Sequence, residues 1–297
     1  MLIQTFLEYL LHEKNYSKHT IKAYETDLIA FKDFCEVEFE MFDIENIHYN
    51  QIRNWIVSLV NQGVTNRTIN RKISSLKTFY KFLQKIEVVK INPLARHKAL
   101  KTQKKSQIPF TPEEVNMVLT DLNTGDDFVS IRNKLIVELF YSTGIRRIEL
   151  INIKLNDVDL SNKLIKVLGK RSKERYVPIL MSVLDTLNQY LKLRMIVDAE
   201  NDVLFVTEKG LKIYETLVYR VINSYFSRVS TKLKKSPHIL RHTFATQLLN
   251  EGADLNSVKE LLGHSSLAST QVYTHNSLDQ MKKMFNKAHP RSKKKDL

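Results

Sequence analysis

Glycine is scarce in this chain, with 7 in 297 residues. Apolar residues recur at three and four positions, and together these features predict a mostly helical protein. Cysteine is scarcer still. Cys35 stands alone in an apolar and acidic stretch, which excludes a disulfide framework and a cysteine-based metal site and leaves a small buried hydrophobe. No run of about 18 apolar residues occurs, so no membrane-spanning helix is expected. The N-terminus reaches Glu8 before an apolar leader builds. These absences lead us to expect a soluble protein of a reducing, cytoplasmic compartment, without a membrane partner.

Positive charge is what the chain has in excess. Lys and Arg number 46 against 32 acidic residues, a formal net charge of +14, more than solubility requires. A polyanion is the obvious partner, although charge alone also fits a membrane surface or an acidic protein. The length admits about two domains.

The first hundred residues predict four helices, over about 2–13, 18–36, 48–62 and 65–86. Ser17 and Thr65 are suited to N-caps, and Gly63 separates the third helix from the fourth. The fourth carries Ile69, Ile73, Leu76, Tyr80 and Leu83 at spacings of four, three, four and three, a stripe for a helical core. Arg67, Arg71, Lys72 and Lys77 are interspersed with it. They form either a solvated cationic face or a surface that meets DNA phosphates and base edges. A basic stretch without apolar period, Lys98 to Gln107, reads as a linker. Its Lys104 and Lys105 belong to an ordinary exposed loop or to a tether crossing a DNA backbone. The domains expected are therefore 1–98, a linker over 99–107, and 108–297 with a tail from about 277.

The second domain opens on Thr111-Pro112-Glu113-Glu114, a capping box with Pro at N1. A helix over about 131–142 ends at Gly144, suited to a left-handed C-cap. The period then changes. Leu164 to Leu168 and Arg175 to Ile179 are β-prone runs joined by Gly169 to Glu174, which predicts a hairpin with a basic tip. Helices resume over about 181–196, 214–229, 239–250, 255–261 and 267–275. An amphipathic run around Met281, Met284 and Phe285 precedes a basic end expected to be disordered. The fold class is mainly α: a helical N-terminal domain, then a mixed α+β domain of mostly helices with a small antiparallel sheet.

A phosphodiester can be cut without metal by a side-chain hydroxyl, given a cationic cradle, a base for the nucleophile and an acid for the leaving oxygen. Two arginines clamp a phosphate with a fork that lysine cannot reproduce. Arg146, just past Gly144, and Arg241 are the pair this sequence offers. His238 lies three residues before Arg241, on the same face at a helix N-terminus that itself favours an anion, and an imidazole exchanges protons near neutral pH. His238 and His242, four apart, could alternatively face a metal, but the glutamate of an HExxH pattern and a third ligand are missing. No metal and no cofactor are expected.

These residues resemble those of the tyrosine recombinases, the phage-integrase-like family, and are most similar to the bacterial Xer recombinases. The resemblance spans essentially the whole chain, including the small N-terminal domain, the basic linker and the tail with His289-Pro290. Thr143 to Leu150 resembles the family's first arginine box. Gly169-Lys170 with Lys173-Glu174-Arg175 resembles its lysine hairpin, and Pro237-His238 with Arg241-His242 its His-x-x-Arg box. Leu261-Leu262-Gly263-His264 and Gln271-Val272-Tyr273-Thr274-His275 resemble the box of the last histidine and the nucleophile. One departure is Arg147-Ile148, where the family usually has a small apolar residue and a serine.

The resemblance implies a four-helix, SAM-like DNA-binding N-terminal domain and a site-specific recombinase that forms a 3′-phosphotyrosine at Tyr273. It implies Arg146 and Arg241 as phosphate clamps, His264 as a further donor, His238 as base and Lys170 as acid to the leaving 5′ oxygen. Glu149 is either a residue that orients an arginine or a solvent-facing helix acid. Double-stranded DNA with specific recombination sites is the implied partner, bound by a homotetramer or by a heterotetramer with a second recombinase, with an activator protein and with the tail docking on a neighbour. Chromosome dimer resolution is the leading role. The alternatives are a mobile-element integrase, a relaxing topoisomerase, or a DNA-binding protein that no longer cuts.

Overall fold

The computed structural model describes the chain apart from residues 1, 41–42, 104–107, 123–124, 170–173, 200–201, 233–234, 264–284, 286–288 and 290–297. It divides into two compact units, Met1–Lys105 and Ser106–Leu297. Among the described residues no helix is long and apolar enough to cross a membrane.

The first unit is built from α1 (Leu2–His12), α2 (Lys18–Phe39), α3 (Tyr49–Asn61) and α4 (Asn66–Lys85). The expected caps are in place. Ser17 accepts the N–H of Thr20 at 3.3 Å, and Thr65 that of Thr68 at 3.4 Å, each satisfying a donor that the helix itself leaves unpaired. The α4 stripe turns inward, with Ile69, Ile73, Leu76, Tyr80 and Leu83 all buried. Burial of each contributes on the order of 2 kcal/mol. Phe6 of α1 closes this core, its ring centroid 5.1 Å from Phe79 and 5.4 Å from Phe82. Helix α2 runs to Phe39, three residues beyond the expected end, where Glu40 takes a left-handed C-cap. Cys35 is fully buried among apolar neighbours, and burial pushes its thiol up to about 11, as befits a core residue.

The second unit begins with α5 (Pro112–Asp121), whose capping box forms as expected. Thr111 Oγ1 accepts from Glu114 N at 3.2 Å, and Glu114 Oε2 accepts from Thr111 N at 2.8 Å. Helix α6 (Phe128–Thr143) starts three residues earlier than the apolar period suggests, because the Asp127 carboxylate caps Val129 and Ser130. Both of its faces are covered, and Leu135 to Thr143 are buried without a break, so it is the central helix of this unit. A five-residue helix, α7 (Arg147–Ile151), follows.

The sheet is antiparallel in the order β1 (Val158–Asp159), β2 (Leu164–Leu168), β3 (Glu174–Pro178). The β2–β3 register pairs Ile165 with Val177 and Val167 with Arg175. The expected hairpin is present, and β1 adds a short strand that a two-residue run cannot announce in sequence. Helices α8 (Met181–Arg194), α9 (Glu215–Val229), α10 (Pro237–Asn250) and α11 (Leu255–Leu262) complete the unit. Pro237 is the first residue of α10, where its missing N–H costs nothing. The helix expected over 267–275 lies outside the described residues. From the tail, Phe285 is fully buried in this unit's own core. His289 stands edge-on to Tyr141, with 5.6 Å between ring centroids.

Candidate active site

The turn that carries Arg146 is shaped by the two residues before it. Thr143 Oγ1 donates to Leu139 O at 2.5 Å and accepts from Ile145 N at 3.2 Å. Gly144 follows at φ 60°, and a Cβ there would lie 2.5 Å from Phe244 Cδ1 and 2.7 Å from Leu262 Cδ2. Only glycine accommodates both the left-handed backbone and that approach. The chain then leaves α6 at an angle that makes Arg146 the N-cap of α7.

Glu149, at the third position of α7, holds Arg146 twice. Its Oε2 accepts the Arg146 backbone N–H at 2.8 Å, and its Oε1 accepts Nη1 at 2.7 Å. Glu149 is 2% exposed, so it is not the solvent-facing helix acid that the sequence also allowed. Strand β3 supplies a second cation to the same carboxylate. Arg175, 5% exposed, donates from Nη1 and Nη2 at 2.9 and 2.8 Å, a two-pronged ion pair.

Arg241, on the first turns of α10, is also buried. It donates from Nη1 to Gly144 O at 2.5 Å and from Nη2 to Leu262 O at 2.7 Å. Arg146 Nη2 reaches Gly263 O at 2.8 Å, and Arg175 Nε reaches Leu261 O at 2.9 Å. Three successive carbonyls at the end of α11 are thus each held by a different arginine. These carbonyls carry the negative end of the helix dipole and have no partner within the helix. The guanidinium groups of Arg146 and Arg241, distant in sequence, therefore converge on one turn.

Among the described residues, three guanidinium groups face a single carboxylate here, an excess of positive charge. Burial by itself would raise the Glu149 pKa, but the hydrogen bonds and charge of Arg175, with the donors of Arg146, carry it down to about 2. Desolvation lowers Arg241 to about 10, and the neighbouring Arg146 and Arg175 charges add to this against the pull of Glu149. Arg241 still stays protonated at neutral pH. A group so placed gains from an incoming anion, because the anion supplies the counter-charge that water cannot.

His238 is exposed on the first turn of α10, three residues before Arg241, and His242 is exposed one turn on. Lys170, His264 and Tyr273 lie outside the described residues. His264 directly follows Gly263, the left-handed C-cap of α11. The chain enters that segment from a point fixed by Arg146.

In the first unit, Arg67 is exposed and Lys77 half-buried. Arg71 and Lys72 converge on Asp27, which is 1% exposed. Arg71 Nη1 and Nη2 donate to it at 2.5 and 2.9 Å, Lys72 Nζ at 3.3 Å and Ser75 Oγ at 2.8 Å. Arg71 nevertheless keeps half of its side chain exposed, whereas Lys72 is largely covered and stands 5.8 Å from the centre of the Trp55 ring. Lys104 and Lys105 lie outside the described residues.

Sequence reasoning gave Arg175 no role of its own, placing it in a β-prone run and within the lysine-hairpin motif. A signal was present: alternation along β3 puts Arg175 on the face of Val177, which is buried, and a charge on a core face demands a partner. Arg147, which stands out in the sequence as a departure from the family pattern, pairs through Nη2 with Glu215 Oε2 at the start of α9. This pair fills the place where the family usually carries a small apolar residue.

Residues 108–280 match the phage integrase family, and residues 3–86 match the phage integrase N-terminal SAM-like domain. The chain belongs to the phage integrase family. It is 39% identical over 297 residues to the tyrosine recombinase XerC of Anoxybacillus flavithermus, with 98% of each chain covered. It is 41% identical over 293 residues to that of Staphylococcus epidermidis, again with 98% of each covered. Among solved structures, the XerA recombinase superposes with a TM-score of 0.50 at 28% identity, over 95% of this chain and 97% of that one. The fold is shared with a Tn1549 transposon integrase in complex with transposon right end DNA, at a TM-score of 0.73 and 20% identity, over 95% and 98% of the two chains. This member of the family is a site-specific tyrosine recombinase.

Proposed function

We propose that this recombinase cuts and rejoins double-stranded DNA with Tyr273 as nucleophile, leaving a 3′-phosphotyrosine that retains the energy of the broken bond. The phosphorus sits between Arg146 and Arg241, whose charges offset the one that develops on the non-bridging oxygens. His264 donates a further hydrogen bond. His238 takes the tyrosine proton, and Lys170 protonates the departing 5′ oxygen. Glu149 orients Arg146. The observation that carries this reading is the convergence of two arginines, distant in sequence, on one buried, positively charged turn.

The XerC and XerA relatives favour a chromosomal role, resolution of chromosome dimers, and the Tn1549 complex favours duplex DNA as partner. A cytoplasmic location follows from such a substrate. Recombination exchanges strands between two sites, so the active assembly is a tetramer, homotypic or shared with a second recombinase and regulated by an activator. In the N-terminal unit Arg67, Arg71 and Lys77 meet phosphates, Lys72 supports Arg71 through their shared carboxylate, and Lys104 and Lys105 cross the DNA backbone.

The test uses nicked fragments of the source genome selected by binding. Wild-type protein should form a covalent DNA adduct that survives detergent. Tyr273→Phe should lose the adduct while still shifting the fragment, and an adduct formed by that variant rejects Tyr273 as the nucleophile.

A further inference from the structure

We infer that Arg175 is a positioning residue for strand cleavage: it ties Glu149 to the end of α11 and so keeps the Arg146 guanidinium where the scissile phosphate arrives. The inference deepens the proposed function and rests on that reading of Arg146.

Among the described residues, Arg175 makes three hydrogen bonds, two to Glu149 and one to Leu261 O. Glu149 makes its remaining bonds to Arg146, and Arg146 bonds Gly263 O. The result is a closed circuit: strand β3, helix α7 and the end of α11 are joined through one carboxylate and two guanidiniums. Arg175 packs so closely on α11 that a Cβ on Gly263 would lie 3.0 Å from its Nη1. Its own side chain is 6% exposed, against 32% for Arg146. Arg175 is therefore too deep to touch DNA, and its influence passes through Glu149. A purely structural ion pair would also need burial and fork geometry. It would not need to share its carboxylate with the arginine that meets the substrate, and that sharing is what the site displays.

The sharing has a consequence in proton chemistry. Arg175 heads the influences that keep Glu149 ionised against its burial. Without it, Glu149 takes up a proton as the solution is acidified, and a neutral carboxyl holds Arg146 poorly. Among the described residues, the other charges facing this carboxylate are Arg146 and, more distantly, Arg241.

Single-turnover adduct formation by the full chain on the nicked fragment is followed from about pH 8.5 to about pH 5.5, as the ratio of variant to wild-type rate, normalised to the folded fraction by circular dichroism. The wild-type denominator cancels pH effects common to both proteins. For Arg175→Ala the ratio should start about tenfold down and fall further with acid, by up to about tenfold per pH unit. Adding Glu149→Gln should make the ratio flat with pH. Arg175→Lys, which keeps the charge but not the fork, should show a smaller version of the same acid loss, and it carries the test if the alanine variant does not fold. A pH-independent ratio for both Arg175 variants overturns the inference while leaving the proposed function intact. Absence of a wild-type adduct overturns the proposed function and this inference with it.

Discussion

Glu149 and Arg175 lie 26 residues apart in sequence and meet through two hydrogen bonds of 2.9 and 2.8 Å. Both are almost fully buried, so the pair is screened little by solvent. A carboxyl at about 2 in the folded chain and near its ordinary 4.5 when unfolded stabilises the fold above about pH 4.5. That contribution is lost as pH falls toward about 2. Its size is roughly 3 kcal/mol, from about 1.4 kcal/mol per pKa unit. Glu149→Gln should be destabilised by about that amount at neutral pH. The gap from wild type should narrow between about pH 4.5 and about pH 2. Urea unfolding at a series of pH values measures it, and a gap that stays constant to the acid end contradicts the pairing.

Arg241→Lys tests geometry at constant charge. One ammonium cannot span Gly144 O and Leu262 O as the guanidinium does, and it offers the phosphate no fork. Adduct formation should fall by about a hundredfold or more, the scale for loss of a preorganised donor to developing charge. Gel quantitation of the adduct reads it, and a lysine variant within a few-fold of wild type would show that charge alone suffices.

Gly144→Ala combines a left-handed backbone with contacts of 2.5 and 2.7 Å to Phe244 and Leu262. Strain and overpacking together should cost about 2 kcal/mol or more. Because Gly144 O also seats Arg241, cleavage should drop beyond what the unfolded fraction explains. Thermal melts paired with adduct assays separate the two effects.

Asp27→Asn removes the shared partner of Arg71, Lys72 and Ser75. Leaving a cation beside a buried amide should destabilise the N-terminal unit by about 3 kcal/mol. Trp55, the sole tryptophan, belongs to this unit and has Lys72 beside its ring, so its fluorescence reports the loss. An unshifted melt by this probe would mean that α2 and α4 hold together without the carboxylate.

Much of this architecture can be read from local pattern. The α4 stripe, the Thr111 capping box, the C-cap at Gly144 and the β2–β3 hairpin each arise from neighbours within four residues or from strand alternation, and each appears where expected. Arg146, His238 and Arg241 were legible because their motifs require particular residue types at short spacings. What escaped was long range. A period says which face of an element is buried but not which residue it meets, so it missed Arg175 with Glu149 and Asp27 with Arg71, 44 residues apart. Helix α7, with five residues, is shorter than the window in which a helical period can be recognised.

A guanidinium carries five N–H groups. Among the described residues, Arg146 uses one of its side-chain N–H groups on Glu149 and one on Gly263 O, which leaves three without a described partner there, and about a third of the side chain faces outward. An arriving phosphate therefore need not prise the arginine from its moorings. The hand that receives it is already steadied at the wrist, and the work of reorganisation shifts from the protein to the DNA.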